Sequence, residues 1–332
     1  MNTQNEAHQV YSQLTPDTVL DAIESLGLLT NGRLLALNSY ENRVYQVGIE
    51  GDRPIVAKFY RPLRWSDAAI LEEQHFTQAL AQAEIPVVAP IEDKTQRTLH
   101  EHQGFRFSIY PCCGGRWPEL DDPAKLSWIG RFIGRIHAFG AVKKFEHRPS
   151  VDIDSYGWQS FDYLMSTNYI STELHEAYTS IVKQVLRQVA ACFELAADVS
   201  YLRIHADCHP GNILWTDDGP HFVDFDDTRM GPAVQDIWML LSGDRQQMTE
   251  QLADILDGYT EFYDFNPMEL HLLEALRTLR MIHYSAWLAK RWDDPSFPRN
   301  FPWFESVRYW EEQILALKEQ SALMDEGPLV WD

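Results

Sequence analysis

The sequence lacks any long apolar run. Among its 332 residues, no uncharged hydrophobic stretch approaches the roughly 18–20 residues that a membrane-spanning helix requires. The opening segment MNTQNEAHQVYSQ also lacks the basic end and the apolar core of a signal peptide. These two absences argue against membrane insertion and export, so we expect a cytoplasmic location.

Cysteine is scarce as well. The four cysteines are Cys112, Cys113, Cys192 and Cys208, and they form no repeating framework. Cys112 and Cys113 are adjacent, so they do not link distant segments of the chain. We therefore expect reduced thiols and no disulfide scaffold.

Basic residues are few relative to acidic ones. The chain has 28 Lys and Arg against 49 Asp and Glu, which gives a formal net charge of −21. A protein this acidic repels phosphate backbones, which argues against general nucleic-acid binding. The same field would favour cationic substrates, although an acidic surface most often serves solubility alone.

The first third of the sequence is rich in predicted strands. LTPDTVLDAIESLGLL predicts an opening helix, with Thr15 as the N-cap and Gly27 as the stop. Three short β-prone runs then follow with tight connections, which predicts antiparallel strands. These runs are RLLALN, RVYQVGI and IVAKFY. After them comes a predicted helix, WSDAAILEEQHFTQALAQAE, and two further predicted strands, IPVVAPI and GFRFSIYP.

After PCCGGRWPE the pattern changes to long helices, and only the strand-like segments SYLRI and HFVDFD interrupt them. The sequence therefore predicts an α+β fold with two lobes. We expect a small nucleotide-binding lobe with an antiparallel sheet at 1–110, a hinge near 109–115, and a larger, mainly helical catalytic lobe at 111–332. A cleft between two such lobes is a common place for a ligand.

The segment IHADCHPGNILW combines several side chains that could bind a metal or act in catalysis. A zinc site is one interpretation, because histidine and cysteine are common zinc ligands and the segment contains His205, Cys208 and His209. However, Cys208 and His209 are adjacent, and adjacent side chains diverge in extended backbone. No second Cys-x-x-Cys or His-x-x-x-His pair accompanies them. Zinc is therefore the weaker interpretation.

A magnesium and phosphate site is the stronger one. Asn212 follows Asp207 by five residues, and Asp224 lies twelve residues further on, in HFVDFDD. Carboxylate and amide oxygens are the ligands that Mg²⁺ takes in proteins, usually together with substrate phosphates. The remaining carboxylate, Asp207, can accept the proton of an attacking hydroxyl. Asp-x-x-x-x-Asn followed by Asp-Phe-x is typical of kinase catalytic loops, and it predicts ATP and Mg²⁺ as cofactors.

A kinase also needs a lysine on a strand and an acidic residue on the next helix. IVAKFY supplies Lys58, and a lysine inside an apolar strand is costly unless it is paired. Glu73 lies on the apolar face of the following helix, and Glu72 is the alternative partner. The loop LNSYENRVYQV has no Gly-x-Gly-x-x-Gly, but Ser39 and nearby backbone N–H groups could donate to phosphate oxygens.

These motifs resemble a known family. HADCHPGNILW and FVDFDDTRMGPAVQDIWML look like the signature of the aminoglycoside phosphotransferase and choline kinase group. More narrowly, LNSYENRVYQV, VAKFYRP, GPAVQDIWMLL and RWDDPSFPRNFPW are similar to the bacterial stress response kinase A family, over almost the whole chain. The resemblance implies a protein-kinase-like fold and ATP-dependent phosphorylation of protein Ser/Thr hydroxyls.

The resemblance also implies roles for individual residues. Asp207 matches the proton acceptor, and Asp236 matches an acid that supports the catalytic loop without reacting. The other matched positions are Asn212 and Asp224 for Mg²⁺, Ser39 for ATP, and Lys58 with Glu73 as the nucleotide-holding pair.

Some alternatives remain open on the sequence alone. Asp226 stands where eukaryotic kinases have Gly, and it could reach a second Mg²⁺; no activation loop is evident. A small-molecule kinase acting on an amino alcohol, sugar or aminoglycoside would share the same catalytic residues, so they do not exclude it. A non-catalytic nucleotide-binding regulator is disfavoured because it need not keep Lys58, Asp207, Asn212 and Asp224 together. We expect a protein substrate as the partner, and a monomer as the default.

Overall fold

The structure is a computed structural model that describes residue 11 and residues 13–331. Helix α1 (Pro16–Glu24) has Thr15 as its N-cap, and the Thr15 side chain accepts a hydrogen bond from the Thr18 N–H at 3.2 Å. Gly27 follows the helix with φ of +81°, a conformation that glycine adopts without steric cost. The predicted start and end of this helix are confirmed.

A five-stranded antiparallel sheet follows, with the strand order β1-β2-β3-β5-β4. The strands are β1 (Thr30–Ala36), β2 (Arg43–Ile49), β3 (Ile55–Phe59), β4 (His100–His102) and β5 (Phe105–Pro111). Helix α2 (Asp67–Gln82) lies between β3 and β4 in the chain. The three antiparallel strands predicted at the start of the sheet are confirmed, and they enclose a core that includes Val47, Ala57 and Phe59.

The prediction of a strand in IPVVAPI is wrong. Only Val87 forms a bridge there, an isolated parallel one to Phe222. Pro86 and Pro90 carry no backbone N–H, so this segment does not sustain a ladder of hydrogen bonds. The short strand β4, which pairs with β5, was not predicted.

The rest of the chain is mainly helical. The α-helices there are α3 (Pro123–Gly140), α4 (Gln159–Met165), α5 (Thr172–Leu195), α6 (Val234–Trp238), α7 (Arg245–Tyr259), α8 (Leu273–Arg291), α9 (Ser296–Asn300) and α10 (Val307–Asp325). A π-helical turn, Asp154–Trp158, precedes α4, and a 3₁₀ segment, Pro267–Leu272, precedes α8. The α+β class, with a small antiparallel sheet and a larger helical part, is confirmed.

The segment between α5 and α6 forms two short pairs of strands. Strand β6 (Leu202–Ile204) pairs with β9 (Arg229–Gly231), and β7 (Ile213–Thr216) pairs with β8 (Gly219–Phe222), both antiparallel. SYLRI and HFVDFD therefore both contribute strands, but they do not pair with each other. The turn Asp217–Asp218 lets the chain fold back directly into β8, so β8 pairs with its nearest neighbour in sequence.

The described residues form two compact units. The first contains those within Met1–Pro118, together with Glu146–Arg148 and Gly211–Asp226. The second contains Glu119–Phe145, Pro149–Pro210 and the described residues from Asp227 onward. In the described part of the chain, no helix is long and apolar enough to cross a membrane.

Glycines set the packing of α3 against α7 in the second unit. A Cβ atom at Gly130 would lie 2.0 Å from the carbonyl oxygen of Ile255, and one at Gly258 would lie 1.9 Å from that of Ser127. Both obstacles are backbone atoms, which cannot rotate away as a flexible side chain can. The two helices therefore pack this closely only because these positions have no side chain.

We predict that Gly130→Ala destabilises the protein by about 1–3 kcal/mol, because α3 and α7 must separate to admit the methyl group. Gly114→Ala is the matched control, since a Cβ atom there meets nothing within 4 Å. The measurement is the thermal unfolding midpoint by calorimetry. Equal midpoints for the two variants would contradict the packing argument.

Candidate active site

The β7–β8 pair places Asn212 and Asp224 at one end of the same hairpin. Ile213 pairs with Phe222, and the Val223 N–H donates to the Asn212 carbonyl at 3.0 Å. Asp224 follows directly, with φ of +60°, a left-handed conformation that is uncommon for a non-glycine residue. Backbone pairing therefore places the two residues predicted to share a cation at the same end of one hairpin.

Lys58 points toward the same hairpin. Its Nζ lies 2.8 Å from Oδ1 of Asp224 and 3.9 Å from Oδ1 of Asp226. Lys58 is buried on β3, between β2 and β5. Burial alone would lower the pKa of Lys58, but the carboxylates of Asp224 and Asp226 raise it above its ordinary value. The ammonium is therefore charged at every physiological pH.

In this structure, neither glutamate on α2 forms an ion pair with Lys58. Glu73 is buried, and its Oε1 accepts a hydrogen bond from the Thr77 hydroxyl at 3.1 Å. Burial raises the pKa of Glu73, although the positive charge of Lys58 opposes that shift. Glu72 accepts hydrogen bonds from the N–H groups of Glu146 at 2.6 Å and His147 at 2.8 Å. Pairing of Lys58 with Glu73 stays a prediction, while in this structure Asp224 is the carboxylate nearest to the lysine.

Asp226 is held by several cationic and amide groups. Asn42 Nδ2 donates to Oδ2 of Asp226 at 3.2 Å, and Arg64 forms an ion pair with the same oxygen. Arg148 Nη1 donates to the Asp226 carbonyl at 2.9 Å. Asp226 is itself buried. Sequence reasoning missed Asn42, Arg64 and Arg148, because no short motif marks them.

Ser39 lies in the half-buried loop between β1 and β2. The residues after it are fixed by Arg61, whose Nε donates to the Glu41 carbonyl at 2.9 Å. Arg61 Nη2 donates to the Tyr40 carbonyl at 3.2 Å, and the Arg61 N–H donates to Asn42 Oδ1 at 3.1 Å. This loop is therefore preorganised without the glycines that commonly form phosphate-binding loops.

In the second unit, a buried carboxylate holds the loop that carries Asp207. Asp236 Oδ2 accepts from the His205 N–H and Oδ1 accepts from the Ala206 N–H, each at 2.7 Å. His137 Nε2 lies 3.0 Å from Oδ2, and its Nδ1 lies 2.9 Å from the Tyr259 hydroxyl. The supporting role expected for Asp236 is confirmed.

A cation and two histidines lie close to Asp207. Its Oδ1 lies 2.7 Å from Arg280 Nη2, and its Oδ2 lies 3.6 Å from His209 Nε2. Its N–H donates to His205 Nδ1 at 3.3 Å. Arg280 comes from α8, far along the chain, and no pattern in the sequence pointed to it.

The donor atoms suit magnesium better than zinc. Within residues 11 and 13–331, no group of three or more His, Cys, Asp or Glu side chains could hold a metal ion. Burial also raises the pKa of the Cys208 thiol well above its ordinary value, so Cys208 stays protonated and is a poor zinc ligand. Asn212 and Asp224 instead offer an amide oxygen and a carboxylate whose side chain is 49% exposed. Such an oxygen-only pair fits a hard cation that shares substrate phosphates.

Comparison with known proteins agrees with this chemistry. Residues 33–273 match the phosphotransferase enzyme family known as APH. Stress response kinase A of Escherichia coli strain K12 is 42% identical over 325 residues, which cover 98% of each chain. Serine/threonine protein kinase RdoA of Salmonella typhimurium is 41% identical with the same coverage.

Solved structures of small-molecule kinases share the fold. Amicoumacin kinase hAmiN, in complex with AMP-PNP, Ca²⁺ and Ami, has a TM-score of 0.72 over 97% of both chains, at 17% identity. A microcompartment-associated aminopropanol kinase has a TM-score of 0.66 at 18% identity, over 93% of this chain and 97% of its own. At such low identity, these likenesses concern the fold alone.

We predict that Asp236→Asn costs about 1–3 kcal/mol of stability, because an amide NH₂ would face a buried backbone N–H that needs an acceptor. It should also speed amide hydrogen exchange at Ala206, which mass spectrometry can follow. The control is Asp264→Asn, at an exposed position in the same unit. Unchanged exchange at Ala206 would show that the loop does not depend on Asp236.

A second prediction concerns Glu269, whose Oε2 accepts from the Val234 N–H at 2.8 Å at the start of α6, the helix that carries Asp236. Burial raises the pKa of Glu269 from its ordinary 4.5 to about 7. The folded state therefore binds this proton more tightly than the unfolded chain, and stability contributed by the protonated form is lost as pH rises from 4.5 through 7. The loss should be about 3 kcal/mol.

Glu269→Gln removes the titrating group and should flatten the pH dependence of the thermal midpoint between pH 5 and pH 8. Glu305→Gln, at an exposed site, should follow the wild type. Parallel curves for the wild type and Glu269→Gln would refute the assignment.

Proposed function

Because the chain belongs to the phosphotransferase enzyme family, and within it to the stress response kinase A group, we propose that it is an ATP- and Mg²⁺-dependent serine/threonine protein kinase. The observation that carries the proposal is the Lys58 ammonium, 2.8 Å from the Asp224 carboxylate at the hairpin end where Asn212 also lies. Binding of a triphosphate requires a fixed ammonium group next to oxygen ligands for a metal ion.

The residues divide into a nucleotide set and a metal set. Lys58 and Ser39 bind the phosphates of ATP, and the buried Glu73 adds negative potential near Lys58. Asn212 and Asp224 would hold Mg²⁺, which offsets the negative charge of the phosphates when it is bound. Asp226, tied to Arg64 and Asn42, fixes the segment after Asp224 and is not proposed as a second metal ligand.

Asp207 is the proton acceptor for the hydroxyl that attacks. The Ser or Thr oxygen forms a bond to the γ-phosphorus of ATP, while the bond from that phosphorus to the β–γ bridging oxygen breaks. ADP leaves with the electron pair of the broken bond, and the hydroxyl proton passes to the Asp207 carboxylate. Asp236 supports this step by fixing the backbone that precedes Asp207.

A protein acceptor is favoured by the relatives that cover almost the whole chain. The names of those relatives at 41–42% identity include a stress response kinase and a serine/threonine protein kinase. The solved small-molecule kinases are only 17–18% identical, so their acceptors carry less weight for this chain. A small-molecule kinase is therefore the second candidate.

We predict that Asp207→Asn lowers turnover about 10²–10⁴-fold while ATP binding is largely kept, because the variant loses the proton acceptor and not the phosphate ligands. The measurement is phosphopeptide mass spectrometry of the protein and of a cell lysate after incubation with Mg·ATP. Asp218→Asn, at an exposed turn position, is the control.

A panel of amino alcohols, sugars and aminoglycosides, tested with labelled ATP, completes the experiment. Rapid phosphorylation of one metabolite with no protein labelled would replace the proposed function by the second candidate. Near-normal turnover in Asp207→Asn would remove Asp207 from the mechanism.

A further inference from the structure

A cation that no motif contains lies next to the proposed base. Arg280 Nη2 lies 2.7 Å from Oδ1 of Asp207, and the Arg280 side chain remains 38% exposed. A general base must lie within hydrogen-bond reach of the hydroxyl that it deprotonates. The acceptor hydroxyl therefore binds within a few ångströms of a partly exposed guanidinium.

We propose that Arg280 determines the specificity of the acceptor, and that it selects Ser or Thr residues flanked by acidic residues in a protein substrate. This inference rests on the proposed function, because it takes Asp207 as the base. Arg280 would bind a carboxylate beside the acceptor residue, because a guanidinium can donate two parallel hydrogen bonds to the two oxygens of a carboxylate.

Helix α8, which carries Arg280, has more basic than acidic residues. It carries four Arg or Lys residues against a single acid, Glu274, in a chain whose formal charge is −21. Arg277 binds that acid, with both carboxylate oxygens 3.0 Å from Nη1. Within the helix, three basic residues remain after this ion pair, and one of them is Arg280, which lies beside Asp207.

A strip that is only partly exposed continues along the same face of α8. Positions 280, 284, 287 and 291 recur at helical spacing, so their side chains lie on one face that is about 16 Å long. Tyr284 stacks on Trp287 with ring centroids 5.6 Å apart, and Tyr284 is 37% exposed. A strip of two arginines and two aromatic rings matches about five residues of an extended peptide in length.

The acidic residues beyond α8 do not offer an equivalent site for a basic peptide. Asp294 is buried, and its Oδ1 accepts from the Ser296 N–H at 3.1 Å and from the Ser296 hydroxyl at 2.7 Å. Asp294 therefore binds Ser296, the first residue of α9. Asp293 is exposed, but it lies beyond the end of the helix, thirteen residues after Arg280. An amine-bearing acceptor at Asp207 would face the like charge of Arg280 first.

The test uses the full-length protein, Mg·ATP, and three peptides of equal length with one Ser acceptor flanked by Glu, Gln or Lys. We expect wild-type kcat/KM to favour the Glu peptide over the Lys peptide by about 10-fold or more. Arg280→Gln should shrink this ratio to about 2-fold, mainly through KM for the Glu peptide. Arg280→Lys should restore the preference, and Arg280→Glu should reverse it. A purely structural role for Arg280 would lower all three rates together.

Arg308→Gln is the matched control, since it removes one positive charge from an 86% exposed side chain in the same unit. It should keep the full preference. Equal wild-type rates on the Glu and Lys peptides, or a preference that survives in Arg280→Gln, would overturn this inference and leave the kinase proposal standing. Phosphorylation of an amino alcohol with no peptide labelled would overturn both. If an acidic metabolite is phosphorylated instead of every peptide, and this depends on Arg280, then the carboxylate that Arg280 binds belongs to a metabolite and not to a protein substrate. That result would also overturn the inference.

Discussion

The backbone of the loop that carries Asp207 depends on one buried carboxylate. Asp236 is 1% exposed, and a buried charge is tolerated only when hydrogen bonds satisfy it. Its two oxygens accept from successive backbone N–H groups, of His205 and Ala206, and His137 is a further neighbour. This binding holds Ala206 at φ of +68°, a conformation that costs about 1–2 kcal/mol for a residue with a Cβ atom. The direction in which Asp207 leaves the strand follows from that turn.

A second set of charges performs the same task in the first unit. Two carboxylates, Asp224 and Asp226, and two cations, Lys58 and Arg64, are all held by one another. Ion pairs of this kind contribute little net stability, because removing both charges from water costs about as much as their attraction returns. What they provide is a fixed geometry, and electrostatic catalysis requires charges that are already in place before the reaction begins.

Local features of the fold were predictable, and long-range partners were not. Helix α1 and strands β1–β3 follow from caps, periodicity and turn residues that lie within a few positions of one another. Asp207, Asn212 and Asp224 were predicted as site residues from spacing alone, because one loop and one hairpin contain all three. Asn42 and Arg64 meet Asp226 across 184 and 162 positions, and no spacing rule reaches that far. IPVVAPI does not form the predicted strand, because Pro86 and Pro90 have no backbone N–H to donate. The lobe boundary at residues 110 and 111 stays a prediction.

Arg280 shows why net charge is a poor guide to what a site binds. The formal charge of −21 favours cations on average, yet a guanidinium, that of Arg280, lies 2.7 Å from Asp207. Salt screens exposed charges beyond about 8–10 Å, so distant carboxylates contribute little at Asp207, while a group at 2.7 Å is hardly screened. The chain matches a phosphotransferase enzyme family through motifs that concern the transfer of the phosphoryl group. Selection among acceptors must then come from residues outside the motifs that contact the base, and in this chain α8 supplies one of them.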